Sequence, residues 1–249
     1  MTMIQIKNLG HRFRDGTWGL QHINLAIDHG EFVIIAGANG SGKTTLLRHL
    51  NGLLLADRGR VLINGNDVTR DRKRARQVVG MVFQDADSQI VGETVYDDVA
   101  FGPENLCLSP DEIKRRVTLA LKAVGLFKQP LQRPHLLSGG EKRRLAIAGV
   151  LAMKPQVLAL DEPFTNLDFP GTTEVLKQIL FLHRAGHTIV IATHDVEKVV
   201  AHADRLIILQ RGEIARAGAP ADIMGELEPF GVRQPCASRL GMEVQPWLS

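Results

Sequence analysis

Cysteine is scarce in this 249-residue chain, where Cys107 and Cys236 are the whole complement. Far apart in sequence, they offer neither a disulfide framework nor metal-ligand spacing, and a reducing, cytoplasmic setting is expected. Aromatic residues make up 5% of the total, with one Tyr and two Trp, which argues against a stacking platform for single-stranded nucleic acid. No stretch reaches the roughly 20 apolar residues of a transmembrane helix. The longest apolar runs, such as Val157–Leu160 and Thr188–Thr193, have strand length. Met1–Asn8 lacks the apolar stretch and cleavage site of a signal peptide. Charge of either sign barely dominates: the net value of +3 is too mild to call for DNA or RNA. What remains is 44% hydrophobic and 23% charged, the makeup of a globular domain with room for a small partner lobe.

The first third reads as strands and turns. Ile4 and Ile6, then Ile23, Leu25 and Ile27, alternate with polar residues as half-buried strands do. Glu31–Ala36 is a strand-like run, Lys43–Leu50 is helical, and Val61–Ile63 and Val78–Phe83 are further strands, with Asn64-Gly65 as a turn. In the middle, Ser109-Pro110-Asp111-Glu112 predicts a capped helix start with Glu112 closing a capping box, and Gly125 suits the C′ position. A second helix is expected from about Gly140 to Ala152. Beyond it, Val157–Leu160, Pro170–Arg184, Thr188–Thr193 and Asp195–Ala203 alternate strand and helix, which predicts a parallel sheet flanked by helices. Strands at Leu206–Leu209 and Glu213–Ala217 close it, and the tail beyond Gly225 has no clear periodicity. The dense cations Arg70, Arg72, Lys73, Arg74 and Arg76 read as a solvated face.

Gly37-Ala38-Asn39-Gly40-Ser41-Gly42-Lys43-Thr44 fits G-x-x-x-x-G-K-[ST] without a gap. Glycines let successive N–H groups converge on phosphate oxygens, and the following helix presents its positive end. Lys43 would reach the β- and γ-phosphates and the Thr44 hydroxyl would ligate Mg²⁺. Thr45 completes the nucleotide-binding run. At the end of an apolar strand, Asp161 would orient the Mg²⁺ shell while Glu162 would point at the water attacking the γ-phosphate. Leu137-Ser138-Gly139-Gly140-Glu141 resembles another anion site: a hydroxyl and two glycine amides at a helix head. One nucleotide does not need two such sites in one chain, so this loop is expected to cap the γ-phosphate bound by a second subunit.

With these pieces in order, the sequence resembles the ATP-binding-cassette (ABC) ATPases over almost its whole length. The matching residues are the Walker A loop Gly37–Thr44, a Q-loop Gln84, the signature Leu137–Glu141, Walker B Val157–Glu162, the D-loop Thr165-Asn166-Leu167-Asp168 and a switch His194. The resemblance implies an α/β fold: a P-loop NTPase with a RecA-like core, an antiparallel β lobe and a helical signature lobe at about residues 86–155. It places the ATPase domain at residues 1–230 and a short tail at 231–249.

It also implies roles. Phe13 would stack on adenine, standing where Tyr is frequent. Gln84 would join the Mg²⁺ shell and the attacking water. Glu162 would be the catalytic base, and His194 would hold the γ-phosphate and water in line. Asp168, with Ser138, Gly139 and Gly140, would meet the nucleotide across a dimer interface. Around the Q-loop, Val79–Gln84, Gln89 and Thr94–Asn105, together with Lys142–Met153, are similar to the energy-coupling-factor and cobalt-type importer ATPases. That narrower resemblance implies ATP and Mg²⁺, a homodimer or a heterodimer with a paralogous ATPase, and two membrane partners. The partners are an integral-membrane coupling (T) subunit and a substrate-binding (S) subunit importing a vitamin such as biotin, or cobalt or nickel. The expected location is the cytoplasmic face of the cell membrane, and no nucleic-acid partner is expected. Glu93, Asp97 and Asp98 beside Gln84 are a candidate docking patch for basic coupling helices. The competing readings are a nucleic-acid- or ribosome-associated ABC switch and a regulatory ATP-binding module without turnover.

Overall fold

The structure is a computed structural model and describes residues 1–248. Among the described residues ten strands form two sheets. Strands β1 (Thr2–Arg12), β2 (Trp18–Asp28), β4 (Arg58–Ile63) and β5 (Asn66–Asp67) make an antiparallel sheet in the order β2-β1-β4-β5. The β4–β5 hairpin turns on Asn64 and Gly65, both at positive φ, 48° and 74°, which suits a two-residue turn.

The second sheet runs β10-β9-β3-β8-β7-β6. Its members are β3 (Phe32–Ala36), β6 (Val79–Val82), β7 (Val157–Asp161), β8 (Thr188–Thr193), β9 (Arg205–Gln210) and β10 (Glu213–Gly218). All its neighbours pair in parallel except β10 with β9. Every residue of β3, β7 and β8 is buried, as expected of strands covered on both faces. One apolar cluster lies between the two sheets and around α1 (Lys43–Leu50). Another lies between the central sheet and α3 (Val95–Asn105), α4 (Pro110–Ala123), α5 (Gly139–Ala152) and α6 (Phe169–Arg184). The short helix α2 (Arg72–Val78) packs on the first of these clusters through Ala75, its one buried residue, and the half-buried Val78.

Two local expectations change. Ser109 does accept from the Glu112 N–H, but Glu112 makes no capping box. Its carboxylate is taken by Arg115, Arg116 and Lys154, which hold it well below the ordinary carboxylate range and tie α4 to the end of α5. Asp195–Ala203 is not an α-helix; it holds a single 3-10 turn, Val200–His202. Val196, Val199 and Val200 are β-branched and fully buried, so packing outweighs a weak helical preference. After β10 the chain forms α7 (Pro220–Ile223), and the tail beyond Gly225 forms α8 (Cys236–Arg239). It buries Leu227 and Val232 in the core and ends with the Trp247 ring 5.2 Å from Phe169.

Candidate functional site

β3 delivers the chain into residues 37–42, and α1 begins at Lys43. A Cβ on Gly37 would stand 2.3 Å from the Leu209 carbonyl oxygen, and Gly42 has φ 106°, so the loop needs glycine at both places. Lys43 Nζ donates to the carbonyls of Gly37 (2.8 Å) and Ala38 (3.1 Å) and lies 3.8 Å from Glu162 Oε1. Burial lowers the Lys43 pKa, and the charges of Glu162 and Asp161 oppose that shift. The Ser41 hydroxyl is buried without a protein partner.

The acids arrive from β7, which neighbours β8, which neighbours β3. Glu162 has φ 46°, and its N–H donates to the Ala192 carbonyl (2.8 Å). Its Oε1 accepts from the His194 N–H (3.0 Å) and lies 2.8 Å from His194 Nδ1. Its Oε2 accepts from the Thr193 hydroxyl (3.0 Å). Asp161 differs. Its Oδ1 is buried with no hydrogen-bond partner, and burial raises its pKa, with the Thr44 hydroxyl offsetting part of the shift.

Phe13, Trp18 and Gly19 join residues 39–45, Gln84 and Glu162 around one cavity of about 450 Å³. The structure therefore brings the expected aromatic, phosphate-loop and acidic residues together. Gly37 and Ala38 do not line it; their carbonyls accept from Lys43. Asp161 faces an adjoining hollow that Thr44 and Gln84 also line. Ser138, Gly139, Gly140 and Asp168 lie elsewhere, in a second cavity of about 520 Å³ that shares no lining residue with the first. Within one chain, Ser138 caps α5 in a reciprocal capping box with Glu141, and Asp168 caps α6 through the Gly171 N–H (2.9 Å).

The acidic patch near Gln84 is not what the sequence predicts. Asp98 is buried, with Oδ1 accepting from the N–H groups of Val91 (2.8 Å) and Gly92 (3.0 Å). Asp97 closes a capping box with Thr94, which leaves Glu93 as the exposed acid of the three without a capping task. Sequence reasoning also missed Trp18, Thr193 and Arg143. Arg143 is 4% exposed and donates to the carbonyls of Phe83 and Gln84, the latter at 2.6 Å. It fixes the Q-loop backbone from the signature helix. In the chain it stands between Lys142 and Arg144, ahead of the apolar run of α5, so no local signal set it apart.

A family model described as ABC transporter matches residues 20–165. The energy-coupling factor transporter ATP-binding protein EcfA of Methanocaldococcus jannaschii is 44% identical over 92% of this chain and 83% of its own length. That of Methanosarcina acetivorans is 45% identical over 90% and 82%. The solved structure of cbiO1 from Clostridium perfringens, part of the ABC transporter complex cbiONQ, superposes with a TM-score of 0.84. It is 37% identical and aligns over 96% of this chain and 98% of its own.

Proposed function

The chain belongs to the ABC transporter ATPases of the energy-coupling-factor and cobalt type, and on that premise we propose that it powers an importer as one half of an ATPase dimer. The observation that carries this reading is the convergence of Lys43 at the start of α1 with Glu162 and His194 just past the ends of β7 and β8. ATP would bind with its base against Phe13 and its phosphates on the N–H groups of the 37–45 loop. Lys43 supplies the fixed positive charge that phosphoryl transfer requires. Glu162 accepts the proton of the attacking water, and His194, bonded to the same carboxylate, fixes its direction.

The residues also fit Mg²⁺. Among the described residues no group of three His, Cys, Asp or Glu could hold a metal. A magnesium bound through nucleotide phosphates needs only one or two protein groups, and the unpartnered buried Asp161 Oδ1 beside Thr44 and Gln84 answers that need. When bound, the ion would neutralise phosphate charge.

In the dimer, the signature residues Ser138, Gly139 and Gly140 and the D-loop Asp168 of one chain close over the nucleotide of the other. The membrane partners are a coupling (T) and a substrate-binding (S) subunit, and the latter selects the cargo, a vitamin such as biotin or a cobalt or nickel ion. This assigns the chain to the cytoplasmic face of the membrane. No helix among the described residues is long and apolar enough to cross one.

Glu162→Gln and His194→Ala are expected to lower ATP turnover at least about 100-fold while ATP binding persists. Lys43→Ala should impair binding or turnover by roughly two to three orders of magnitude. Turnover near wild type in both Glu162→Gln and His194→Ala would overturn the mechanism. Purification from membranes should bring integral-membrane subunits down with the chain. Recovery of ribosomes or DNA-repair proteins alone would replace the transport reading with a nucleic-acid-bound switch.

A further inference from the structure

Helix α2 presents a surface that ATP hydrolysis leaves unused. Arg72, Lys73, Arg74 and Arg76 are exposed, as is Arg70 just before them, while Ala75 turns inward. Among the described residues none of the five forms an ion pair, although Arg70 adds a small charge effect to the Thr69 hydrogen bonds that lower the Asp67 pKa. Asp71 is the one acid in the stretch, and its carboxylate accepts from the Arg74 N–H (2.9 Å). The guanidinium of Arg76 reaches only the Gly52 carbonyl, at 3.5 Å.

The position of this face matters as much as its charge. A Cβ built on Gly52 would stand 3.4 Å from the Arg72 Cβ, so α2 abuts the segment that continues into Leu53 and Leu54. Those two line the hollow of about 540 Å³ that also holds Arg48, Phe83 and Gln84, and Leu53 is 42% exposed. The basic face thus borders the apolar pair Leu53 and Leu54, at the edge of a mixed hollow that Gln84, Asp85 and Ser88 also line. Residues 66–78 contain no aromatic side chain to stack a base, which disfavours nucleic acid as the occupant.

We propose that the basic face of α2 is an electrostatic contact for an anionic lipid surface, turning the Gln84 side of the chain toward the membrane. The proposal rests on the reading of the chain as a transporter ATPase. Each cation near an anionic bilayer strengthens partitioning about fivefold, so a cluster is effective where single residues are not.

The test is co-sedimentation of the purified full chain with vesicles of phosphatidylcholine alone or mixed with phosphatidylglycerol. The chain should sediment with the mixed vesicles only, and high salt should release it. Arg72→Glu, Lys73→Glu and Arg74→Glu combined should weaken partitioning about 100-fold or more and leave ATPase activity unchanged. Acids in the first turn suit the helix dipole, so the helix is retained, and the matching Gln triple variant should fall between. Equal sedimentation with both vesicle types, or no effect of the triple variant, would overturn the proposal. So would binding to an RNA or DNA oligomer with no binding to vesicles. If vesicle binding fails while membrane subunits still co-purify, the lipid contact falls and the transport reading stands.

Discussion

Asp161 keeps Oδ1 buried and without a protein hydrogen bond, whereas both oxygens of Glu162 are taken by Thr193 and His194. The chain places the two acids side by side, and the surrounding atoms give them different chemistry. Between the ordinary carboxylate range and the raised Asp161 pKa, the folded chain holds a proton that the unfolded chain has released. Asp161 therefore makes stability fall as pH rises through that window. Asp161→Asn should stabilise the nucleotide-free chain at neutral pH and flatten that slope in denaturant melts across the acid range. The same variant should lose magnesium-dependent hydrolysis. That the two acids sit at a strand end was readable from an apolar run ending in Asp-Glu. That Thr193 holds Glu162 was not, because the two residues are 31 apart in sequence and meet only when β7 and β8 pair.

Among the elements, the irregular segment between β6 and α3 carries Gln84, and side chains brought from elsewhere hold it. Arg143 donates to its first carbonyls. The Gln89 side chain accepts from the Phe83 N–H (2.9 Å), and Asp98 accepts from Val91 and Gly92 at the far end. Burial raises the Asp98 pKa against those two bonds. Asp98→Ala leaves two N–H groups without their acceptor and should cost about 1–2 kcal/mol in a thermal or denaturant melt. Asp98→Asn keeps an acceptor oxygen and should cost less. Periodicity placed α4 correctly because its apolar stripe is a local fact. It failed at Asp195–Ala203, where three buried valines answer to the core rather than to a helix.

On the scale of the whole molecule, the two anion-ready cavities open separately, one at the 37–45 loop and one at the heads of α5 and α6. A single chain therefore carries half of each proposed composite site. In a head-to-tail dimer, mixing inactive Lys43→Ala chains with inactive Ser138→Arg chains leaves one site with both halves intact. ATPase activity should return on mixing, to about a quarter of wild type at most if the chains pair at random, and specific activity should fall on dilution. A mixture as inactive as its components would remove the composite site.

The sequence by itself determined the phosphate loop, the apolar strands and the order of motifs, since each depends on short-range spacing and on glycine at strained positions. Only the tertiary structure decided which polar groups meet. Asp98 reads as surface charge in the chain but is a buried acceptor in the fold, and Arg143 reads as one cation among several but grips the Q-loop backbone. The cations of α2 kept their solvated reading and gained a neighbour, the rim beside Gln84. The reason is physical: burial and long-range pairing set the energy of a charge, and neither is a property of its position in the chain.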